Sequence, residues 1–367
     1  MKQHYQVLDG LRGTAALTVV IFHVLEMLWP EPADNPLHHA YLAVDFFFML
    51  SGFIVGHAYD DRLPKMGFLR FMRVRVRRLQ PLALLGLVIG TAGYLIDPFA
   101  PDQHTASVGS ILLTFGLMLF TLPSPALPNR FTETHSLNGP TWTLFQEYLA
   151  NIVYGLIGPR LGKRGLAVLV AVAGLVLIGV AARLPHLGTG WGWDNMWVAP
   201  VRTAFPFFAG LLLHRLSPRL TSSHKPILGF GLLSLVLVAV FAAPFAATAG
   251  PIKLNGLMEA LFIILIFPLV IAAGAAATAD GRLKKLCQFS GAISYPLYIT
   301  HYPFIYIFGH WVWTTKPERG LVALVGAGVI VLVIALAWAA MRFYDTPVRA
   351  WLARRAAGSL KPTEQAT

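Results

Sequence analysis

The chain has 367 residues, of which 56% are hydrophobic and 13% charged, and its formal net charge is +12. Soluble domains run nearer roughly 45–50% apolar and about 25% charged, so this composition excludes a water-soluble fold. The positive charge invites a nucleic-acid partner, but it sits in short segments between apolar stretches, where membrane orientation places it, and nucleic acid is excluded on that ground. The single cysteine, Cys287, excludes an intramolecular disulfide and a cysteine-rich zinc cluster, and reads as apolar filler before it reads as a catalytic thiol.

The fold class expected is all-α and polytopic, with about ten transmembrane helices in a single domain over residues 1–355 and a flexible cytosolic tail at 356–367. The first apolar stretch holds His23 and Glu26 and lacks a small-residue cleavage site, so it is a retained helix and not a signal peptide. In chain order the expected spans are 11–30, 41–59, 79–97, 141–158, 166–182, 198–214, 226–247, 256–277, 288–311 and 321–343. Between the third and fourth lies Ile111 to Leu122, apolar but too short to cross a hydrocarbon core of about 30 Å. It reads as a re-entrant or interfacial piece.

Charge supports that reading. With the amino terminus in the cytosol, most of the 29 Lys and Arg residues fall inside, among them Lys2, the run from Arg70 to Arg78, Arg219, Lys225, Lys285, Arg355 and Lys361. Were 111–122 to cross, Arg160, Lys163, Arg164 and the basic tail would face outward. No internal repeat of the transporter kind is visible, which weighs against a carrier.

Ionisable groups inside spans cost about 2.5–3.5 kcal/mol each on insertion scales, so those present face the bundle interior. Arg12 and His23 stand eleven residues apart, close to three helical turns, and share one face about 16 Å apart. Asp9 and Glu26 fall near the same stripe. From the expected spans, Glu147 lies at a depth similar to His23, Asp45 slightly shallower, and Ser51 and His301 nearer mid-membrane. Arg75 and Arg78 guard the inner mouth. The expected track runs from cationic at the cytosol, through histidines, to acidic near the outer face. It suits a phosphate-bearing donor from inside and an acceptor from outside, since arginines hold phosphate bidentately and a histidine accepts a hydroxyl proton near neutral pH. A structural, hydrogen-bonding role for an intramembrane histidine is as open as a chemical one, and Asp45 with Ser51-Gly52 fits helix packing about as well as a site.

At these residues the chain resembles the acyltransferase 3 family, bacterial membrane enzymes that O-acetylate surface polysaccharides. Leu8-Asp9-Gly10-Leu11-Arg12-Gly13 followed by His23 is similar to its first helix, and Asp45 through Phe53 to its second. Arg75 and Arg78 before Pro81 resemble its arginine pair, and Trp142-Thr143-Leu144 with Glu147 its tryptophan and glutamate helix. Ser294 through His301, including Tyr298, resembles its late tyrosine and histidine helix, and Tyr344-Asp345-Thr346-Pro347 its closing motif, with Asp345 where glutamate is common.

The resemblance implies acetyl-coenzyme A as acyl donor, read by Arg75, Arg78 and Arg12 with Ser51, Tyr298 and His301 in the same site. It implies His23 as the catalytic residue, either base or covalent acyl carrier, with Glu147 orienting it or the acceptor. Asp9, Glu26, Asp45, Trp142 and Asp345 are the orienting set, and no metal is expected. The acceptor would be a hydroxyl of a surface or lipid-linked saccharide, in the bacterial inner membrane, with both termini cytosolic. The chain ends soon after its tenth expected helix, so it would complete transfer itself or hand the acyl group to polysaccharide-assembly proteins. The runner-up is a carrier or flippase using the same polar track without chemistry, and a purely structural subunit is disfavoured by the number of buried charges.

Overall fold

The structure is a computed structural model describing residues 4–101, 106–216, 226–246 and 251–358. Lys2, Arg219, Lys225 and Lys361 of the basic set lie outside the described residues, as do residue 247 of the seventh expected span and residues 359–367 of the expected tail. In chain order the helices are α1 (Gln6–Glu26), α2 (Ala43–Tyr59), α3 (Leu63–Met66), α4 (Phe68–Ile96), α5 (Val108–Met118), α6 (Thr141–Ile157), α7 (Lys163–Ala181) and α8 (Ala199–Leu216). They continue with α9 (Pro226–Phe241), α10 (Leu254–Leu261), α11 (Phe267–Ala276), α12 (Gly281–Thr300), α13 (Tyr302–Thr315), α14 (Arg319–Ala339) and α15 (Thr346–Gly358). Single π-helical segments, Phe262–Ile266 and Ala340–Asp345, splice α10 to α11 and α14 to α15.

Among the described residues seven helical stretches are long and apolar enough to cross a membrane. Three further passes are shorter or interrupted: α6, α9 and the broken pair α12–α13. Together they make the ten passes expected, and the protein is an all-α, multi-pass membrane protein. Arg215 at the end of α8 ties one end of the bundle, the basic end, by bonding Asp60 after α2 at 2.6 Å and the Leu161 carbonyl after α6 at 2.5 Å. At the opposite, loop end, the His39 N–H donates to the Phe241 carbonyl and His310 of α13 meets Asp97 after α4.

The short helix α5 has 11 residues and spans about 16 Å. It descends along α4 until the Leu119 carbonyl accepts from Gln80 Nε2 at 2.6 Å, about midway along that helix. The chain then returns to the loop end, where the Thr134 N–H donates to the Trp191 carbonyl and Glu133 bridges to Gly192. This is the short, non-crossing helix expected at 111–122 as a re-entrant or interfacial piece.

Two helix pairs meet through glycine. A Cβ on Gly52 of α2 would lie 1.8 Å from the Phe207 carbonyl oxygen of α8, and one on Gly210 of α8 would lie 1.9 Å from the Met49 carbonyl oxygen of α2. Likewise Gly13 of α1 accepts Ser290 of α12, and Gly291 of α12 accepts Asp9 of α1, each at 2.5 Å from the missing Cβ. In lipid, where burial of apolar side chains gives helices little reason to associate, such backbone contact supplies the packing. The break between α12 and α13 has a local cause. Pro303 has no N–H to offer the Ile299 carbonyl, so Asn138 Nδ2 donates to it instead at 2.8 Å.

Candidate active site

A cavity of about 500 Å³ lies among α1, α2, α4, α6, α12 and the π-helical turn before α15. Its polar wall includes Arg12, Arg75, Arg78 and Arg349, together with Asp9, Ser51, Glu147, Tyr298 and Asp345. These carboxylates are spoken for in pairs. Arg12 Nη1 donates to Asp9 at 3.1 Å, Arg349 pairs with Asp345 one helical turn away, and Arg75 Nη2 donates to Glu147 Oε1 at 2.5 Å. Ser51 Oγ donates to that same Glu147 oxygen at 2.5 Å. Among the described residues Arg78 has no ion-pair partner, yet it feels the charges of Arg75, Arg12 and Arg349. A cationic cluster with one arginine uncommitted is an anion site in chemical terms.

The π-helical turn matters here. It inserts one residue into the ladder joining α14 to α15 and buries Asp345 against the cavity, an arrangement that recurs at functional sites.

His23 lies elsewhere. Its Nδ1 is 2.8 Å from Glu26 Oε2, one turn on along α1. A neutral imidazole that donates from Nδ1 to a carboxylate keeps its lone pair on Nε2, which is the form a general base requires. The His23 ring stacks on His301 at 5.5 Å and meets the edge of Tyr302 at 4.8 Å. His301 in turn lies 6.0 Å from Tyr298, whose phenol forms part of the cavity wall and hydrogen bonds Thr143 at 3.1 Å. His301 Nδ1 faces the Tyr298 carbonyl at 2.9 Å, so it carries the proton, and its Nε2 is buried without a partner among the described residues. A column of rings, Tyr298, His301, His23, therefore leads from the cavity towards the loop end.

Of the residues singled out from sequence, the structure gathers Asp9, Arg12, Ser51, Arg75, Arg78, Glu147, Tyr298 and Asp345 around one cavity, and His23, Glu26 and His301 in the adjoining column. Glu147 departs from expectation. It is held by Arg75 and Ser51, while the carboxylate on His23 is Glu26. The cause is the loop before α6, which packs inward so that Asn138 reaches Ile299 and α6 starts inside the bundle, carrying Glu147 towards the basic end. The expected order of charges, cationic at the cytosol and acidic near the outer face, is corrected for Glu147, which sits with Arg75.

Asp45 and Trp142 take other posts. Asp45 is fully buried in an ion pair with Arg202 of α8, which also donates to the Thr189 carbonyl at 2.7 Å, and Trp142 lies under that guanidinium at 5.6 Å. The pair thus pins the 186–195 loop to α2 and α8.

Sequence reading missed Arg349, one turn beyond Asp345, which helical spacing would have found. It also missed the buried Glu259, which accepts from Tyr41 at 2.6 Å, Asn255 at 2.7 Å and the Leu187 N–H at 2.5 Å and faces His39 Nδ1 at 2.9 Å. No local spacing announces that cluster.

The returning arm of the re-entrant segment adds a polar group above the histidine column. Glu133 is buried and accepts from the Tyr306 hydroxyl, and Arg130 lies 3.9 Å over the Tyr306 ring and 4.9 Å over Tyr94. Burial pushes the Glu133 carboxyl up to about 8, against the pull of Tyr306 and Arg130. Burial likewise pushes His135 down to about 4. Near neutral pH both are uncharged, as an inward-packed loop with few charge partners requires.

A ten-pass bundle with a cation-lined cavity beside a carboxylate-oriented histidine is the framework of a membrane-embedded acyltransferase. The chain belongs to the acyltransferase 3 family, whose acyltransferase domain matches residues 5–342. It is 34% identical over 197 residues to "Protein 2 in picA locus" of Rhizobium radiobacter, across 49% of this chain and 96% of that relative. It is 24% identical over 376 residues to Peptidoglycan O-acetyltransferase OatA of Listeria monocytogenes serovar 1/2a, across 95% of this chain and 56% of that relative. The chain thus spans little more than half the length of the second protein. No solved structure matches it.

Proposed function

We propose that this protein is an O-acetyltransferase that takes acetyl from acetyl-coenzyme A at the basic end of the bundle and delivers it to a hydroxyl of a surface or lipid-linked saccharide at the loop end. The observation that carries this reading is the His23–Glu26 pair, with Nε2 left basic, joined by stacked rings to the arginine-lined cavity. Similarity to a peptidoglycan O-acetyltransferase supports the saccharide acceptor and the acetyl group. Density of basic residues at the end that holds both described termini supports a bacterial inner-membrane protein with its termini in the cytosol.

In this reading Arg78, assisted by Arg12 and Arg349, holds the donor's phosphates, and the thioester reaches along the cavity towards Tyr298 and His301. His23 Nε2 takes the proton from the acceptor hydroxyl as its oxygen bonds to the thioester carbonyl carbon. The carbon–sulfur bond breaks, and the leaving thiolate takes the proton back from the imidazolium. Ester and free coenzyme A thiol leave, and His23 is restored. Glu26 holds the tautomer and stabilises the transient imidazolium.

Purified protein in vesicles supplied with labelled acetyl-coenzyme A and saccharide tests it. Free thiol should appear together with label in the saccharide. Label that crosses the membrane with the thioester intact would instead establish a carrier.

A further inference from the structure

The loop end next to His23 presents two aromatic side chains whose placement the transfer chemistry does not use. Phe131 is 61% exposed, and its backbone is left-handed, with φ of 48°. A bulky residue pays a conformational penalty there, and such strain persists only where its surroundings impose it. They do so on both sides. Arg130 is clamped between Tyr94 and Tyr306, the Thr132 carbonyl accepts from the Trp193 N–H, and Thr132 Oγ1 donates to Asp194 at 2.7 Å.

The second ring belongs to Trp313 of α13, 38% exposed and 6.1 Å from Phe131 in an edge-to-face arrangement. Its indole Nε1 donates to the Met27 carbonyl at 3.2 Å. Met27 follows Glu26, so this ring is fixed to the very end of the helix that carries the His23 pair. Trp29, Trp193 and Trp197 are also exposed at this end and suit the aromatic belt of a bilayer interface. Phe131 and Trp313 differ from them: one is held outward against its backbone preference, and the other is tied to the catalytic helix.

We propose that Phe131 and Trp313 form the platform on which a pyranose ring of the saccharide acceptor stacks, presenting its hydroxyl to His23. A sugar ring has an apolar face of C–H bonds and a rim of hydroxyls. Rigid aromatic rings take the face, and Asp194, whose carboxylate accepts from Thr132 beside Phe131, is a hydroxyl acceptor at the platform's edge. The inference rests on His23 being the transfer site.

The test uses the full-length protein and, as probe, the glycan fraction extracted from cells lacking this gene, with labelled acetyl-coenzyme A. Phe131→Ala and Trp313→Leu, checked as folded and monodisperse, should each raise the half-saturating glycan concentration roughly tenfold. Phe131→Tyr should restore saturation. A second measurement uses the milder Trp313→Phe: glycan should shift the tryptophan fluorescence of wild type and of Trp193→Phe, and not that of Trp313→Phe. Unchanged half-saturation in the folded variants, or a full fluorescence shift in Trp313→Phe, overturns the platform alone. Failure of wild type to label any glycan overturns the saccharide reading and the platform with it.

Discussion

At the scale of single residues, two arginines that look alike in sequence have different surroundings and different expected phenotypes. Arg75 is buried and neutralises the half-buried Glu147, so Arg75→Gln leaves that carboxylate without its cation and should lower thermal stability in detergent. Arg78 has its guanidinium to spare, so Arg78→Gln should leave stability unchanged and raise the apparent KM for acetyl-coenzyme A roughly tenfold. His23→Ala should lower transfer by about 10²–10⁴-fold in protein that remains monodisperse. Glu26→Gln should lower it less, since the imidazole loses its orienting carboxylate and keeps its base. Glu133 gives a pH signature. Its folded carboxyl sits at about 8, above the ordinary value of 4.5, so the folded protein binds the extra proton between those limits. Stability from this group is greatest below the unfolded value and is lost as pH rises towards 8. Thermal stability of wild type should therefore fall more between pH 5 and 8, values chosen within that window, than that of Glu133→Gln, in which the side chain stays neutral.

Elements were legible where a signal was local. The Arg12–His23 spacing set both residues on one face of α1, Glu26 one turn from His23 was a candidate for orienting it, and the shortness of 111–122 foretold α5. Depth was not legible where it depended on a loop folding inward, which is why Glu147 was given a depth similar to His23 when it bonds Arg75. Nor can spacing announce pairs between distant passes, such as Asp45 with Arg202 or His39 with Glu259, because any helix of the bundle offers a partner at similar depth. Gly52 was read as packing or site with equal weight, and the structure divides the motif: Gly52 packs on α8 while Ser51 turns to Glu147. Its missing Cβ would fall 1.8 Å from a backbone oxygen, which cannot move as a side chain can. Gly52→Ala should force α2 and α8 apart and lower the yield of folded protein, whereas Gly116→Ala, with open space around it, should be neutral or slightly stabilising in the same assay.

At the scale of the whole molecule the site draws on both ends of the chain. His23 comes from the first pass and His301 from the break in the ninth, and their rings touch only because the glycine faces of α1 and α12 interlock. This has a consequence in time. A ribosome adds roughly 5–20 residues per second, so His23 enters the membrane on the order of tens of seconds before His301 is made. Throughout that interval the nascent chain already carries His23, yet lacks α12 to wall the cavity and Arg349, the partner of Asp345. On the proposed chemistry a half-made chain has Arg12, Arg75 and Arg78 but no closed cavity in which to seat a thioester, so transfer waits until synthesis is nearly complete.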